Sequence, residues 1–205
     1  MRIKITEEMK KQALIEANKR DAYIKHHFEV GHMTKEERDK VGFIGEFAAC
    51  SLFGIDWKEN IRDNYYTIDN CDLIINGNKT DVKTETVPLK YAKKIINGTI
   101  KDDEVYGRRL IHENQYKLLK KYDLILFGLF IRDELDYFYF IGYMETDEIL
   151  GNYRPTIKRP DGGQYPFSAC PIPTSELKPI KFLLKNQLKL ELWKTEIYLQ
   201  DLPCK

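Results

Sequence analysis

The sequence predicts one α/β domain in which helices accompany antiparallel strand pairs. Residues 6–19 place apolar side chains at helical spacing. The dipeptide Asn76-Gly77 joins two β-rich runs and is a strong hairpin signal. Two aromatic and β-branched runs, 122–131 and 137–144, flank a polar turn, which is typical of adjacent antiparallel strands. A chain of 205 residues is long enough for one domain and marginal for two.

The amino-terminal part of the sequence predicts an exposed amphipathic helix followed by a second, short helix. Thr6 precedes two glutamates at the start of the first helical segment, which is the pattern of an N-cap. Thr34 followed by Glu37 indicates a capping box and a second, short helix. We expect residues 1–40 to form a helical arm appended to the core of a single domain spanning residues 1–205.

A third helix, from Gly42 to Phe53, is predicted to be buried because almost every residue in it is apolar. Its one charged residue is Glu46. Gly54 supplies the left-handed stop that ends many helices. Gly42 and Gly45 lack side chains, which would let this helix lie close to a sheet.

Residues 71–86 are expected to form a β-hairpin whose register decides which side chains meet. If the Asn-Gly pair occupies the two-residue turn, Asp72 lies opposite Asp81. A turn one residue later pairs Asp72 with Lys83 instead. In both registers the charged residues share one face of the hairpin: Asp72, Asp81, Lys83 and Glu85.

The other segments carry weaker patterns. Residues 88–109 are predicted to be irregular and lysine-rich, and a helix is expected near 113–121. The polar turn between the two later strands covers residues 132–136. Residues 151–173 contain so many glycines and prolines that we expect a long loop. In residues 181–200 some apolar residues follow helical spacing and others alternate as in a strand, so the sequence assigns this segment to neither a helix nor a strand.

Charge and composition exclude several classes of protein. Lysine and arginine total 33 against 32 acidic residues, a net charge of +1, so a polyanion partner would need a local basic face. The four cysteines lack zinc-finger spacing, which favours reduced thiols in a cytoplasm. No apolar run approaches the roughly 20 residues of a membrane helix, and no signal-peptide core is present. We therefore expect a cytoplasmic protein that does not span a membrane.

The charged face of the hairpin is the strongest chemical signal in the sequence. Two carboxylates directly opposite on neighbouring strands destabilise a sheet unless a cation lies between them. Mg²⁺ is commonly held by one or two carboxylates and keeps several waters, which leaves room for a phosphate substrate. Lys83 would add a positive charge beside the metal. Glu46 is costly to bury unless it is paired or coordinates an ion.

These residues resemble the PD-(D/E)XK nuclease superfamily, which has the restriction-endonuclease-like fold. The resemblance covers residues 40–145 and consists of Gly45-Glu46 on a helix, then Asp72, then Asp81-Val82-Lys83. It implies an αβββαβ core with a mixed central sheet flanked by helices. One departure is that Cys71 precedes Asp72, where the family's name has proline.

The resemblance implies a role for each matched residue. Asp72 and Asp81 would ligate Mg²⁺, for which Mn²⁺ would substitute, and Glu46 would bind the metal directly or through water. Lys83 would position or activate the attacking water. The implied reaction is hydrolysis of a DNA phosphodiester by a restriction-type or repair endonuclease. Gln115 lies on the helix that follows in the family's core, but Leu119 replaces the tyrosine of the exonuclease subgroup.

Basic clusters provide candidate contacts to DNA phosphates, which position a duplex without reading its sequence. We expect substrate contacts from Gln115, Lys117, Arg154, Lys158 and Arg159. Arg108 and Arg109 form a further basic pair. By analogy with enzymes that cut both strands, a homodimer is expected.

Other interpretations of the same residues remain open. The hairpin charges would form an ordinary surface salt bridge if they faced solvent. The same fold and basic surface would also suit a nucleic-acid-binding subunit that cleaves nothing, or a nuclease acting on RNA. His26, His27 and His32 are expected to be exposed polar residues and not metal ligands.

Overall fold

A computed structural model describes residues 1–21, 33–65 and 71–185. The structure is mixed α/β, as predicted. In chain order its helices and strands are β1 (Arg2–Lys4), α1 (Glu7–Asp21), α2 (Lys35–Leu52), β2 (Leu73–Ile75), β3 (Asn78–Val87), α3 (Leu89–Ile96), β4 (Arg108–His112), α4 (Glu113–Tyr116), β5 (Leu124–Ile131), β6 (Glu134–Glu145), α5 (Thr146–Asn152), β7 (Thr156–Lys158) and β8 (Gln164–Pro173).

The main sheet is mixed and has the strand order β1-β6-β5-β3-β2. Its neighbouring strands are antiparallel except for β3 and β5, which are parallel. The parallel pair requires a crossover, which is formed by α3, β4 and α4. Strands β4, β8 and β7 form a second, antiparallel sheet.

The central strand β5 is buried along its whole length because both faces of the main sheet are covered. On one face Leu124, Leu126 and Phe130 pack in a cluster with residues of α1 and α2. On the other face Ile125 and Phe127 pack with residues of the second sheet and α5. The predicted antiparallel pair of later strands is confirmed, although their turn contains only two residues and not five.

The predicted hairpin has the first of the two registers. Leu73 pairs with Thr80 and Ile75 with Asn78, which leaves Asn76 and Gly77 in the turn. Both turn residues have positive φ, 52° and 84°, as a two-residue type I′ turn requires.

Helix α2 is one continuous helix, whereas the sequence predicted a short helix and a separate buried one. Its capping box is present, with Thr34 and Glu37 bonded reciprocally. Gly42 does not break the helix, since a single interior glycine costs only about 1 kcal/mol. Gly54, with φ 71°, follows the helix end as predicted.

The amino-terminal elements pack against the rest of the chain. Strand β1 pairs with β6, and α1 buries Met9, Ala13 and Ala17 in the cluster that also contains α2 and the main sheet. Residues 1–21 of the expected arm therefore contribute to the core. None of the helices in the described parts of the chain is both long and apolar enough to cross a membrane.

Two segments predicted to be irregular contain regular elements. The lysine-rich stretch contains α3, whose Ala92 and Ile95 bury against β5 while its lysines face outward. The predicted helix near 113–121 is shorter, consisting of α4 and a 3-10 turn.

The expected long loop at 151–173 contains the hairpin of β7 and β8. Pro171 and Pro173 are tolerated because they lie beyond the residues of β8 that pair with β7, so their missing N–H groups face an open edge. The three histidines at 26, 27 and 32 lie outside the described residues, as do residues 186–200 of the unassigned carboxyl-terminal element.

Gly45 is the point of closest approach between α2 and the sheet. A Cβ atom there would lie 1.9 Å from Thr84 Oγ1, whereas one at Gly42 would meet nothing within 4 Å. We expect Gly45→Ala to lower the free energy of unfolding by about 1–3 kcal/mol, measured by urea denaturation, because the packed groups must separate.

Gly42→Ala is the matched control and is expected to be neutral or to stabilise by up to about 1 kcal/mol. Adding Thr84→Ala to Gly45→Ala should recover part of the loss. Equal stability of the two single glycine variants would contradict this packing.

Candidate active site

The four residues predicted to carry chemistry meet at an open edge of β3. Strand β2 begins at Leu73, which pairs with Thr80, so β3 has no strand partner on that side beyond Thr80. Asp72, directly before β2, covers the gap. Its Oδ2 accepts a hydrogen bond from the Val82 N–H at 2.8 Å, and its own N–H donates to the Thr80 carbonyl at 3.0 Å.

Asp81 and Lys83 lie two residues apart on β3 and therefore on the same face. Lys83 Nζ is 2.6 Å from Asp81 Oδ2. That oxygen is buried, and the contact lacks hydrogen-bond geometry, so Oδ2 receives an ion pair but no hydrogen bond. A buried carboxylate oxygen without a hydrogen bond is unusual and is expected where a ligand completes the site.

Glu46 approaches the same edge from α2, which covers the other face of the sheet. It is 7% exposed, and its Oε2 accepts from Asn60 Nδ2 at 3.2 Å and from Arg62 Nη2 at 3.4 Å. Arg62 Nη2 is also 3.6 Å from Asp72 Oδ1. The guanidinium thus connects the helix carboxylate to the hairpin carboxylate.

The pKa shifts reflect how close the three carboxylates are. Burial raises the pKa of Asp72 well above its usual range, and the charges of Glu46 and Asp81 raise it further, against the Val82 N–H and Lys83. Burial also raises the pKa of Glu46, opposed by Arg62 and reinforced by Asp81. Mutual repulsion of this kind requires the groups to share one site.

Sequence reasoning missed three neighbours of this cluster. Asn60 is the last residue of a 3-10 turn at Trp57–Asn60, and Arg62 lies two residues beyond it. No spacing rule links either residue to a glutamate on the preceding helix. Tyr122 was assigned only to a strand. Burial, followed by the charges of Asp81 and Asp72, raises the pKa of the Tyr122 phenol.

The carboxylate oxygens suit a hard cation such as Mg²⁺. In the parts of the chain that the structure describes, no three His, Cys, Asp or Glu side chains are arranged to hold a metal ion between them. Mg²⁺ commonly needs only one or two carboxylates with several waters. Asp81 Oδ2, which is buried and accepts no hydrogen bond, and Asp72, which interacts with the charge of Asp81, would supply these carboxylates.

The predicted substrate-binding residues lie at the surface of the second sheet and α4. Gln115 is half-buried on α4, followed by Lys117, which is exposed and 3.7 Å from Glu113. Arg154 donates to Tyr116 at 3.3 Å, which links α4 to the segment before β7. Lys158 is exposed, and Arg159 pairs with Asp161.

This surface belongs to the same side of the main sheet as Asp81 and Lys83. These two residues pair with Ile125 and Phe127 across the parallel strands, and paired residues point to the same face. Tyr116 of α4 packs against the cluster that contains Ile125 and Phe127.

Arg109 does not belong to the basic surface. It is 1% exposed and pairs with Glu85, so it is not available to a phosphate. Glu85 keeps 31% of its side chain exposed, and burial of its carboxylate raises its pKa despite the charge of Arg109. The pair links β4 of the second sheet to β3 of the main sheet.

Neither protein-family models nor curated proteins match the sequence, and no solved structure matches the fold. The cluster combines three carboxylates and two cations at one strand edge.

The raised pKa of Asp72 predicts a pH-dependent gain in stability for Asp72→Asn. Folded Asp72 keeps its proton to higher pH than the unfolded chain does, so wild-type stability falls as the pH rises above about 4 through the folded pKa. Asparagine avoids this loss and can still accept from Val82. In EDTA at pH 8 we expect its free energy of unfolding to exceed that of the wild type by on the order of 1 kcal/mol.

The gain should shrink as the pH is lowered toward 4. Asp123→Asn is the control, because Asp123 also accepts a β3 N–H, from Lys79 at 2.7 Å, but is exposed. It should bring no gain. An Asp72→Asn protein no more stable than the wild type at pH 8 would contradict the burial of a strained charge here.

Proposed function

We propose that the protein is a Mg²⁺-dependent deoxyribonuclease that hydrolyses DNA phosphodiester bonds, an endonuclease of restriction or repair type. The observation that carries the proposal is the meeting of Glu46, Asp72, Asp81 and Lys83 at the open edge of β3. Their order along the chain resembles the motif of the PD-(D/E)XK superfamily. A surface salt bridge does not explain them, since all four side chains are largely buried.

The order of elements supports a restriction-endonuclease-like core in part. Helix α2, the β2–β3 hairpin, the α3 crossover and the parallel strand β5 follow the order of that core. One difference is that the described residues between α2 and α3 form two strands, where the family's core has three. The proposal therefore rests more on the site than on the topology.

Each site residue has a distinct role in the proposed reaction. Asp72 and Asp81 would hold the Mg²⁺ or Mn²⁺ ion, with Glu46 bound to it directly or through a water. The bound ion would acidify a water and neutralise charge on the phosphate oxygens. Lys83, held 2.6 Å from Asp81, would orient the attacking water and stabilise the negative charge that develops on the phosphate.

The substrate contacts are proposed to come from the surface that carries Lys117, Arg154, Lys158 and Arg159, with Gln115 on α4 beside them. This surface and Lys83 lie on the same side of the main sheet. A chain of net charge +1 would depend on such local contacts to bind DNA. Cleavage of both strands of a duplex would require a second copy of the site, which a homodimer would supply.

The proposed chemistry predicts that cleavage depends on the metal ion and is lost when either of two site residues is substituted. Wild-type protein should nick a supercoiled plasmid in Mg²⁺ and not in EDTA. Asp81→Asn and Lys83→Ala should each slow nicking by at least about a hundredfold. The first weakens binding of the metal ion, and the second removes a cation that would stabilise the reacting phosphate. Gel electrophoresis of a time course gives the rates.

Lys79→Ala is the matched control, since Lys79 is an exposed lysine on the same strand, and it should nick at the wild-type rate. Cleavage that persists in both site variants would remove the nuclease assignment. Salt-dependent DNA binding without cleavage in any divalent metal would favour a nucleic-acid-binding subunit that cleaves nothing. Cleavage of RNA but not DNA would instead identify a ribonuclease.

The proposed DNA surface predicts a change in salt dependence. Replacing Lys158 and Arg159 together with alanine should weaken binding to every duplex sequence alike. It should also reduce the slope of log affinity against log salt by about 1.8, because each phosphate contact contributes about 0.9. Fluorescence anisotropy in EDTA measures both quantities without cleavage.

The control is a double variant in which alanine replaces Lys4 of β1 and Lys11 of α1, both of which are exposed. It lowers the net charge by the same amount as the Lys158 and Arg159 double variant. It should leave the slope within error of the wild type. Equal slopes for the two double variants would exclude the second sheet as the DNA surface.

A further inference from the structure

The guanidinium of Arg62 lies between two of the three site carboxylates. Its Nη2 is 3.4 Å from Glu46 Oε2 and 3.6 Å from Asp72 Oδ1. Both partners are largely buried, with 9% and 16% of their side chains exposed. A single cationic group therefore neutralises the pair that would otherwise attract a divalent ion.

The backbone of Arg62 is held by helix α1 through a buried glutamate. Glu16 is 0% exposed, and its Oε2 accepts from the Tyr65 hydroxyl at 2.6 Å and from the Arg62 N–H at 3.4 Å. Lys19 Nζ is 2.8 Å from Glu16 Oε1 and 3.4 Å from the Arg62 carbonyl. Both polar groups of the Arg62 backbone thus have partners in this network.

Aromatic rings limit where the side chain can go. The guanidinium carbon of Arg62 lies 5.5 Å from the centre of the Tyr65 ring and 6.0 Å from that of the Phe43 ring, within reach of a cation–π interaction. Tyr65 therefore links the two parts of the arrangement, since its hydroxyl binds Glu16 and its ring faces Arg62. A buried carboxylate as fully hydrogen-bonded as Glu16 is expected where it holds a particular geometry.

We propose that Arg62 is a built-in counter-ion that competes with the divalent cation for Glu46 and Asp72. The proposal rests on the proposed metal site. A metal ion and a guanidinium cannot both contact these two carboxylates at close range, because they would repel and overlap. Arg62 therefore raises the metal concentration needed to fill the site, and Glu16 acts as a positioning residue that sets the strength of this competition.

The test measures binding of Mn²⁺ alone to the full chain, by the loss of the free-ion EPR signal. Arg62→Ala should bind Mn²⁺ about tenfold more tightly than the wild type, because a unit charge next to the ion has been removed. Arg62→Lys, which keeps the charge, should stay near the wild type. Asp81→Asn should lose binding, which identifies the site being titrated.

Glu16→Gln tests the positioning role at a residue that is no part of the proposed metal site. It should tighten Mn²⁺ binding severalfold while leaving the carboxylates intact. Added to Arg62→Ala it should cause no further change, since its effect acts through Arg62. Tyr65→Phe removes only one hydroxyl from the same network. It replaces Glu16→Gln in this test if circular dichroism shows that the Glu16→Gln protein does not fold.

The possible failures can be told apart. Equal Mn²⁺ affinity of wild type and Arg62→Ala, with binding lost in Asp81→Asn, would overturn the competition and leave the metal site standing. Absence of Mn²⁺ binding in every folded variant would overturn both. A Glu16→Gln effect that adds in full to that of Arg62→Ala would overturn the positioning role of Glu16.

Discussion

The burial of three carboxylates at one strand edge is the constraint on which the site depends. Glu46, Asp72 and Asp81 are taken from water and repel one another, and both effects raise the pKa of Asp72. Two cations offset this cost, Lys83 beside Asp81 and Arg62 between the other two. Such a cluster is unfavourable for folding, so hydrophobic packing elsewhere must compensate for it.

The rest of the fold provides that packing and also aims the side chains. Strand β5 is covered on both faces, and α2 lies so close to β3 that only glycine fits at position 45. The close approach brings Glu46 to the edge that Asp72 borders. Because β2 is short, residues from opposite faces of the sheet can meet around the exposed side of β3. Helix α1 contributes as well, since Glu16 holds the backbone of Arg62.

Local patterns predicted the elements on which the site is built. The Asn-Gly turn places Asp72 next to Asp81 and Lys83, because a two-residue turn with positive φ at both positions allows one register. An apolar helix with a single acid predicted the burial of Glu46. Prediction failed for β8, in which Pro171 and Pro173 pair with β4 but lie beyond the residues that pair with β7.

Amino-acid order alone determined the hairpin, the buried helix and the strand pair of β5 and β6, since turn chemistry and side-chain periodicity act over a few residues. Contacts between distant segments decided the rest. Arg62 meets Glu46 and Asp72, and Arg109 is buried against Glu85, although both arginines are indistinguishable in sequence from surface cations. The environment of a charged side chain depends on packing across the whole chain, which no local pattern encodes.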